Sequence, residues 1–193
     1  MQGKLLSVNV ARAQNRLIGG RNVLTGIGKR PAAGPVEVGG LGLAGDEQAD
    51  LSVHGGLSKA VYAYPTEHYP FWQTVRAQAG AAEWNAPLAP GSLGENLTIS
   101  GLVESKAWIG DVLRFPNCEL AVSEPRMPCF KLNSALGFDH AARLMLKSGW
   151  CGFYLSVRSA GTLAAADPFD LIAGPREVGI AELFRARADR QAS

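Results

Sequence analysis

The chain has 193 residues, 47% of them apolar and 19% charged, which suits one globular domain and excludes a disordered chain. Its 23 glycines and 11 prolines exclude a helix bundle or coiled coil and favour short strands joined by shaped loops. Three Cys and three His exclude a four-cysteine zinc or iron–sulfur framework and leave room for one soft-metal site. The net charge of +2 is unevenly placed: six bases and no acid in residues 1–36, against nine acids and three bases in residues 37–111. A basic N-terminal third suggests an anionic ligand, with solvated loop charges as the plainer alternative.

In chain order, alternation and β-branching predict a strand over residues 4–10, then short apolar runs at 23–27 and 36–38 among Gly and Pro. Leu41-Gly-Leu-Ala-Gly-Asp46 reads as a glycine turn and residues 60–64 as a strand. Thr66 as N-cap and Gly80 as stop predict a helix over 66–79, with Pro70 near its first turn. A loop over 80–94 leads to short strands at 97–99, 111–115 and 118–123. A second helix is expected over 139–148, between Asp139 as N-cap and Gly149 at C′. Strands follow at 152–158 and 169–173, and Ile180, Leu183 and Phe184 have helical spacing on a last helix over 179–190. The fold class is therefore mainly β, a closed or nearly closed β-barrel with a few small peripheral helices. The barrel spans 1–178 and the short C-terminal helix 179–193.

Strand parity sorts the thiols. Cys118 shares a face with Leu120 and Val122, and Cys151 with Phe153, Leu155 and Val157, so both read as small core residues. Cys129 stands instead in Ser123-Glu-Pro-Arg-Met-Pro-Cys-Phe-Lys-Leu132, where two prolines stiffen the loop and Arg126 and Lys131 flank the thiol and would favour its thiolate. That setting suits a soft-metal ligand or a nucleophile, with a buried loop cysteine as the plain alternative. His54-Gly-Gly-Leu-Ser-Lys59 allows close backbone approach to a ligand at Gly55 and Gly56 but lacks the spacing of a Walker A loop. His68 and His140 fall in or beside helices and read as solvated or cap-adjacent. Glu95 and Asn96 follow a glycine turn and either face a cleft or cap their own backbone. No dense basic tract or nucleic-acid motif, signal peptide or 18-residue apolar span is found, so nucleic acid and membrane are not expected partners. Three widely spaced Cys make no disulfide framework and read as free thiols of a cytoplasmic protein.

Six segments taken in order resemble the MOSC family, the C-terminal domain of molybdenum-cofactor sulfurases, on its YiiM-like branch. They are Thr25-Gly-Ile-Gly-Lys-Arg-Pro31, Leu41-Gly-Leu-Ala-Gly-Asp46, Gln48-Ala-Asp-Leu-Ser-Val-His-Gly-Gly56 with Lys59-Ala-Val-Tyr-Ala-Tyr64, Gly94-Glu-Asn-Leu-Thr98, Ile109-Gly-Asp111 and Pro125-Arg-Met-Pro-Cys129. The resemblance implies a β-rich barrel and a site for the molybdenum cofactor, a phosphate-bearing pterin holding the metal. It implies Cys129 as the thiolate ligand to molybdenum, or as a persulfide carrier. His54 and Lys59 would then stand near the metal as hydrogen-bond donors or proton sources, and Asn96 and Arg126 would orient cofactor or substrate. Lys29 and Arg30 could meet the phosphate, with Gly55 and Gly56 giving close backbone approach; pyridoxal phosphate is not expected. The family commonly continues into three C-terminal helices, of which this chain carries one.

Three functions follow. The first is a molybdenum-dependent reductase of N-hydroxylated compounds, such as N-hydroxylated purine bases, fed by a separate electron-transfer protein because no flavin, haem or iron–sulfur motif is present. The second is a carrier of molybdenum cofactor or sulfur without turnover of its own. The third is a metal-free thiol enzyme with Cys129 as nucleophile and His54 as base. A homodimer is one assembly open to any of them.

Overall fold

The computed structural model describes residues 2–49 and 55–192. Thirteen strands and four α-helices follow one another as β1 (Gln2–Val10), β2 (Gln14–Ile18), β3 (Arg21–Thr25), β4 (Arg30–Pro31), β5 (Val36–Gly39), β6 (Gly42–Leu43), β7 (Val61–Pro65), α1 (Tyr69–Gln78), β8 (Leu97–Ser100), β9 (Val112–Arg114), β10 (Glu119–Pro125), α2 (Lys131–Leu136), α3 (Ala141–Ser148), β11 (Phe153–Ser159), β12 (Gly161–Leu163), β13 (Pro168–Ile172) and α4 (Ile180–Ala192).

Seven strands close on themselves in the order β1-β8-β7-β11-β10-β9-β13, and β13 pairs back onto β1. The ring is the expected mainly β barrel, and closure leaves it no free edge. Every pair in it is antiparallel except β7 and β8, which run parallel with Ala63 opposite Leu97. Parallel neighbours need a long crossover, and the segment holding α1 supplies it. Leu5, Leu97, Ile99, Leu113, Leu120 and Phe153 are fully buried, as strand alternation requires. Core polar groups are partnered: the Trp72 indole N–H donates to the Tyr64 hydroxyl at 2.6 Å, and that hydroxyl donates to the Trp150 carbonyl at 3.0 Å. The last helix joins the same core through Ile180 and Phe184. No helix among the described residues is long and apolar enough to cross a membrane.

Several boundaries differ from the sequence reading. The helix expected from Thr66 starts as a 3-10 turn over Thr66–His68 and becomes α-helical at Tyr69, so Pro70 falls in its first turn. The helix expected from Asp139 begins at Ala141 after His140, because the Asn133 side chain supplies the cap. Its Oδ1 accepts from Ala142 N–H at 2.9 Å and its Nδ2 donates to the Asp139 carbonyl at 2.6 Å. The hairpin of β2 and β3 was only partly visible as an apolar run, because its outward residues are Asn, Gln, Arg and two exposed leucines. His68 is cap-adjacent rather than solvated, standing at the N-cap position of α1. It is buried, with Nε2 2.7 Å from Glu104 Oε2 and its ring stacked 4.7 Å from that of Trp150.

Candidate functional site

Parity on two neighbouring strands builds one wall of a pocket. Tyr154 of β11 pairs directly with Tyr62 of β7, so both rings leave the sheet on the same side, with centroids 5.4 Å apart. Their neighbours Ala63, Phe153, Val61 and Leu155 point the other way and are fully buried. The end of β3 and the segment after it (Thr25, Gly26, Ile27, Lys29), the turn at Asp46–Gln48 and the loop after β10 close the other sides. Together these segments line one pocket open to solvent, a concave site of the kind that takes small molecules.

Five of the residues singled out from the sequence meet here: Lys29, Lys59, Asn96, Arg126 and Cys129. Arg30 is exposed on β4, and neither it nor Gly55 nor Gly56 lines the pocket. The Gly56 N–H is taken by Gln48 Oε1 at 3.3 Å. His54 lies outside the described residues.

Cys129 ends the proline-stiffened loop, and its carbonyl accepts from Leu132 N–H at 3.0 Å as the chain turns into α2. It is half-buried, whereas Cys118 and Cys151 are buried. Burial pushes the Cys118 thiol up to about 11 and the Cys151 thiol well above its ordinary value. Parity therefore separated two inert core thiols from the one that faces a pocket.

Arg126 is 5% exposed, with its guanidinium 5.1 Å from the centre of the Tyr62 ring and Nη1 3.4 Å from the Met145 sulfur. Among the described residues no carboxylate lies within ion-pair distance of it. Burial opposes its charge, but its pKa still lies above the ordinary arginine value, so it stays protonated. A buried cation without an anion is costly, and an anionic ligand would relieve that cost. Lys59 stands 5.9 Å over the Tyr154 ring and 4.0 Å from Glu124, and Lys131 also lines the pocket.

Asn96 is committed to structure. Its Oδ1 accepts from Tyr62 N–H at 3.1 Å, and its Nδ2 donates to the Asn9 carbonyl at 3.2 Å and to Asp46 Oδ2 at 2.8 Å. Asp46 also receives Ala11 N–H at 2.9 Å and the Lys29 ammonium. Glu95, beside Asn96, does not face the pocket. It is fully buried, and its carboxylate holds the 91–95 turn by accepting from Gly91 N–H at 2.7 Å, Leu93 N–H at 3.0 Å, Thr98 Oγ1 at 3.1 Å and the Tyr69 hydroxyl. Burial raises its pKa above the ordinary glutamate value even so.

Sequence reasoning missed Asp46, Tyr62 and Tyr154. Tyr154 was within reach of it, since placing Cys151, Phe153 and Leu155 on one face puts Tyr154 on the other. Asp46 carried no comparable signal, because its partners are 17 to 50 residues away.

Among the described residues no group of three His, Cys, Asp or Glu could hold a bare metal ion. Cys129 can offer one thiolate to a metal whose other ligands come with a cofactor, and the unmatched Arg126 can meet an anionic part of it. On donor chemistry, the pocket fits such a group.

A MOSC domain family model matches residues 50–170. YflK of Bacillus subtilis, itself uncharacterized, is 38% identical over 183 residues, covering 95% of this chain and 79% of that protein. A protein named reductase in Gibberella moniliformis is 34% identical over 179 residues, which are 90% of this chain but 30% of that protein. The crystal structure of YiiM from Geobacillus stearothermophilus superposes with a TM-score of 0.77 at 29% identity, covering 99% of this chain and 86% of that one. Barrel, motifs and relatives agree: the chain belongs to the MOSC domain family, on its YiiM-like branch.

Proposed function

We propose that the chain is a reductase of N-hydroxylated compounds, N-hydroxylated purine bases among them, working with a bound molybdenum cofactor and electrons from a separate electron-transfer protein. The observation that carries this reading is one pocket holding the half-buried Cys129 thiol together with the buried Arg126, which has no carboxylate within ion-pair distance among the described residues. The likeness to a protein named reductase supports the reaction class.

When bound, the cofactor supplies the two electrons that the reduction consumes. Cys129 offers its thiolate to the metal, and Arg126 and Lys131 hold the anionic groups. Tyr62 and Tyr154 keep one wall apolar enough to seat a planar base, and burial keeps both phenols protonated by raising their pKa values. Reduction of R–NHOH by two electrons and two protons breaks the N–O bond and yields R–NH2 and water. Lys59, with His54 in the same motif, donates a proton to the departing oxygen.

The test is turnover. Purified protein carrying the cofactor, with reduced methyl viologen as electron source, should convert an N-hydroxylated purine to the amine on chromatography. Full cofactor content without conversion of any hydroxylamine would overturn the reading. Release of the cofactor to an apo-enzyme without turnover would point instead to a carrier.

A further inference from the structure

Lys29 and Asp46 form a buried ion pair inside the pocket, with side chains 9% and 5% exposed. The carboxylate is held independently by Ala11 N–H and by Asn96, at 2.9 and 2.8 Å. An ammonium already matched by a carboxylate has little net charge to offer a phosphate, so the pair makes a poor anion anchor. It can still release a proton. The reduction of R–NHOH takes up two: one completes the water that leaves as the N–O bond breaks, and the other ends on the product nitrogen. The two electrons come from the reduced electron-transfer protein. Lys59 with His54 accounts only for the proton on the departing oxygen.

We propose that Lys29, held in place by Asp46, is the second proton donor of this pocket, passing a proton from Nζ to the product nitrogen. The inference rests on the reductase reading. Burial is the largest influence on the Lys29 ammonium and lowers its pKa, against the opposing pull of Asp46 and Glu95. It is therefore a stronger acid than a surface lysine. After release, the neutral amine still faces a carboxylate that Ala11 N–H and Asn96 keep hydrogen-bonded, so the deprotonated pair is not stranded. Among the described residues, the other charged groups lining the pocket are Glu47, Lys59, Arg126 and Lys131, and Arg16 packs against the backbone at Gly28. Cys129, Tyr62 and Tyr154 are the remaining titratable groups among the described residues that line it.

Three variants of the cofactor-loaded protein test this: Lys29→Met, Lys29→Arg and Asp46→Asn. Each is assayed for molybdenum content, for the pH profile of kcat with an N-hydroxylated purine and reduced methyl viologen, and for titration of 15N-labelled lysine Nζ by NMR. Both Lys29 variants should keep parental molybdenum, lose kcat by about 100-fold with KM within about twofold, and lose the basic limb of the profile. The Lys29 resonance, identified by its loss in Lys29→Arg, should titrate below the other lysines. Asp46→Asn should move both that titration and the basic limb to lower pH, because it removes a group that holds the ammonium charged. Parental kcat and an unchanged basic limb in Lys29→Arg would overturn the proposal, as would an ordinary Lys29 titration or loss of molybdenum in Lys29→Arg. A parent that reduces no hydroxylamine overturns the reductase reading, and this inference with it; an active parent with any of the other contrary results overturns this inference alone.

Discussion

Substituting Gly91 tests how the site is assembled, because this glycine is where the 90–95 turn packs against the Lys29 segment. Its φ is +85°, and a Cβ there would lie 2.6 Å from the Lys29 carbonyl oxygen, 2.9 Å from its carbon and 3.3 Å from Asn9 Cβ. The first two are backbone atoms and cannot swing aside. An alanine therefore carries two costs: about 1–2 kcal/mol for the left-handed conformation and about 1–3 kcal/mol for the forced separation. Gly20, in the turn joining β2 to β3, isolates the first cost: its φ is +76° and a Cβ would meet nothing within 4 Å. For a chain of this size one kcal/mol shifts Tm by about 2–4 °C. Gly91→Ala should then melt about 4–20 °C below the parent and Gly20→Ala about 2–8 °C below, by circular dichroism at one pH and protein concentration. Equal losses in the two variants would show that the turn does not press on Lys29, and would refute the packing on which the pocket geometry depends.

The buried Glu104 serves two partners, His68 Nε2 at 2.7 Å and Gly152 N–H at 2.6 Å. Glu104→Ala should cost about 2–4 kcal/mol in urea unfolding at unchanged m-value, because it strands a buried donor, while Glu104→Gln should cost less than half of that. The thiols should also differ in reactivity. At a pH of about 8, well below the raised values of the two core thiols, iodoacetamide should modify Cys129 ahead of Cys118 and Cys151, as read by mass spectrometry. Cys118 or Cys151 reacting first would contradict the burial assigned to them.

The barrel was legible in the sequence because alternating apolar strands and Gly-rich turns leave a local trace. The contrast between Cys118 and Cys151 on one side and Cys129 on the other was legible for the same reason, since strand parity is a property of neighbours in the chain. What stayed hidden depends on distant partners. The sequence left His68 open between solvated and cap-adjacent, because its burial is set by Glu104 and Trp150, 36 and 82 residues further on. Lys29 read as a free cation for an anion because Asp46 stood in what looked like an ordinary glycine turn. The helix start at Ala141 likewise depends on Asn133, which caps it from the preceding helix rather than from the N-cap position. In each case a local signal existed, and a long-range hydrogen bond or ion pair decided what it meant.

On the proposed reading Cys129, of the three thiols, serves a molybdenum cofactor. The most direct test of that reading is molybdenum analysis with pterin fluorescence of the parent, Cys129→Ser and Cys118→Ser, each expressed in a cofactor-competent host. The account predicts metal and pterin in the parent and in Cys118→Ser, with the metal lost from Cys129→Ser. Full molybdenum in Cys129→Ser, together with its loss from Cys118→Ser, would contradict it.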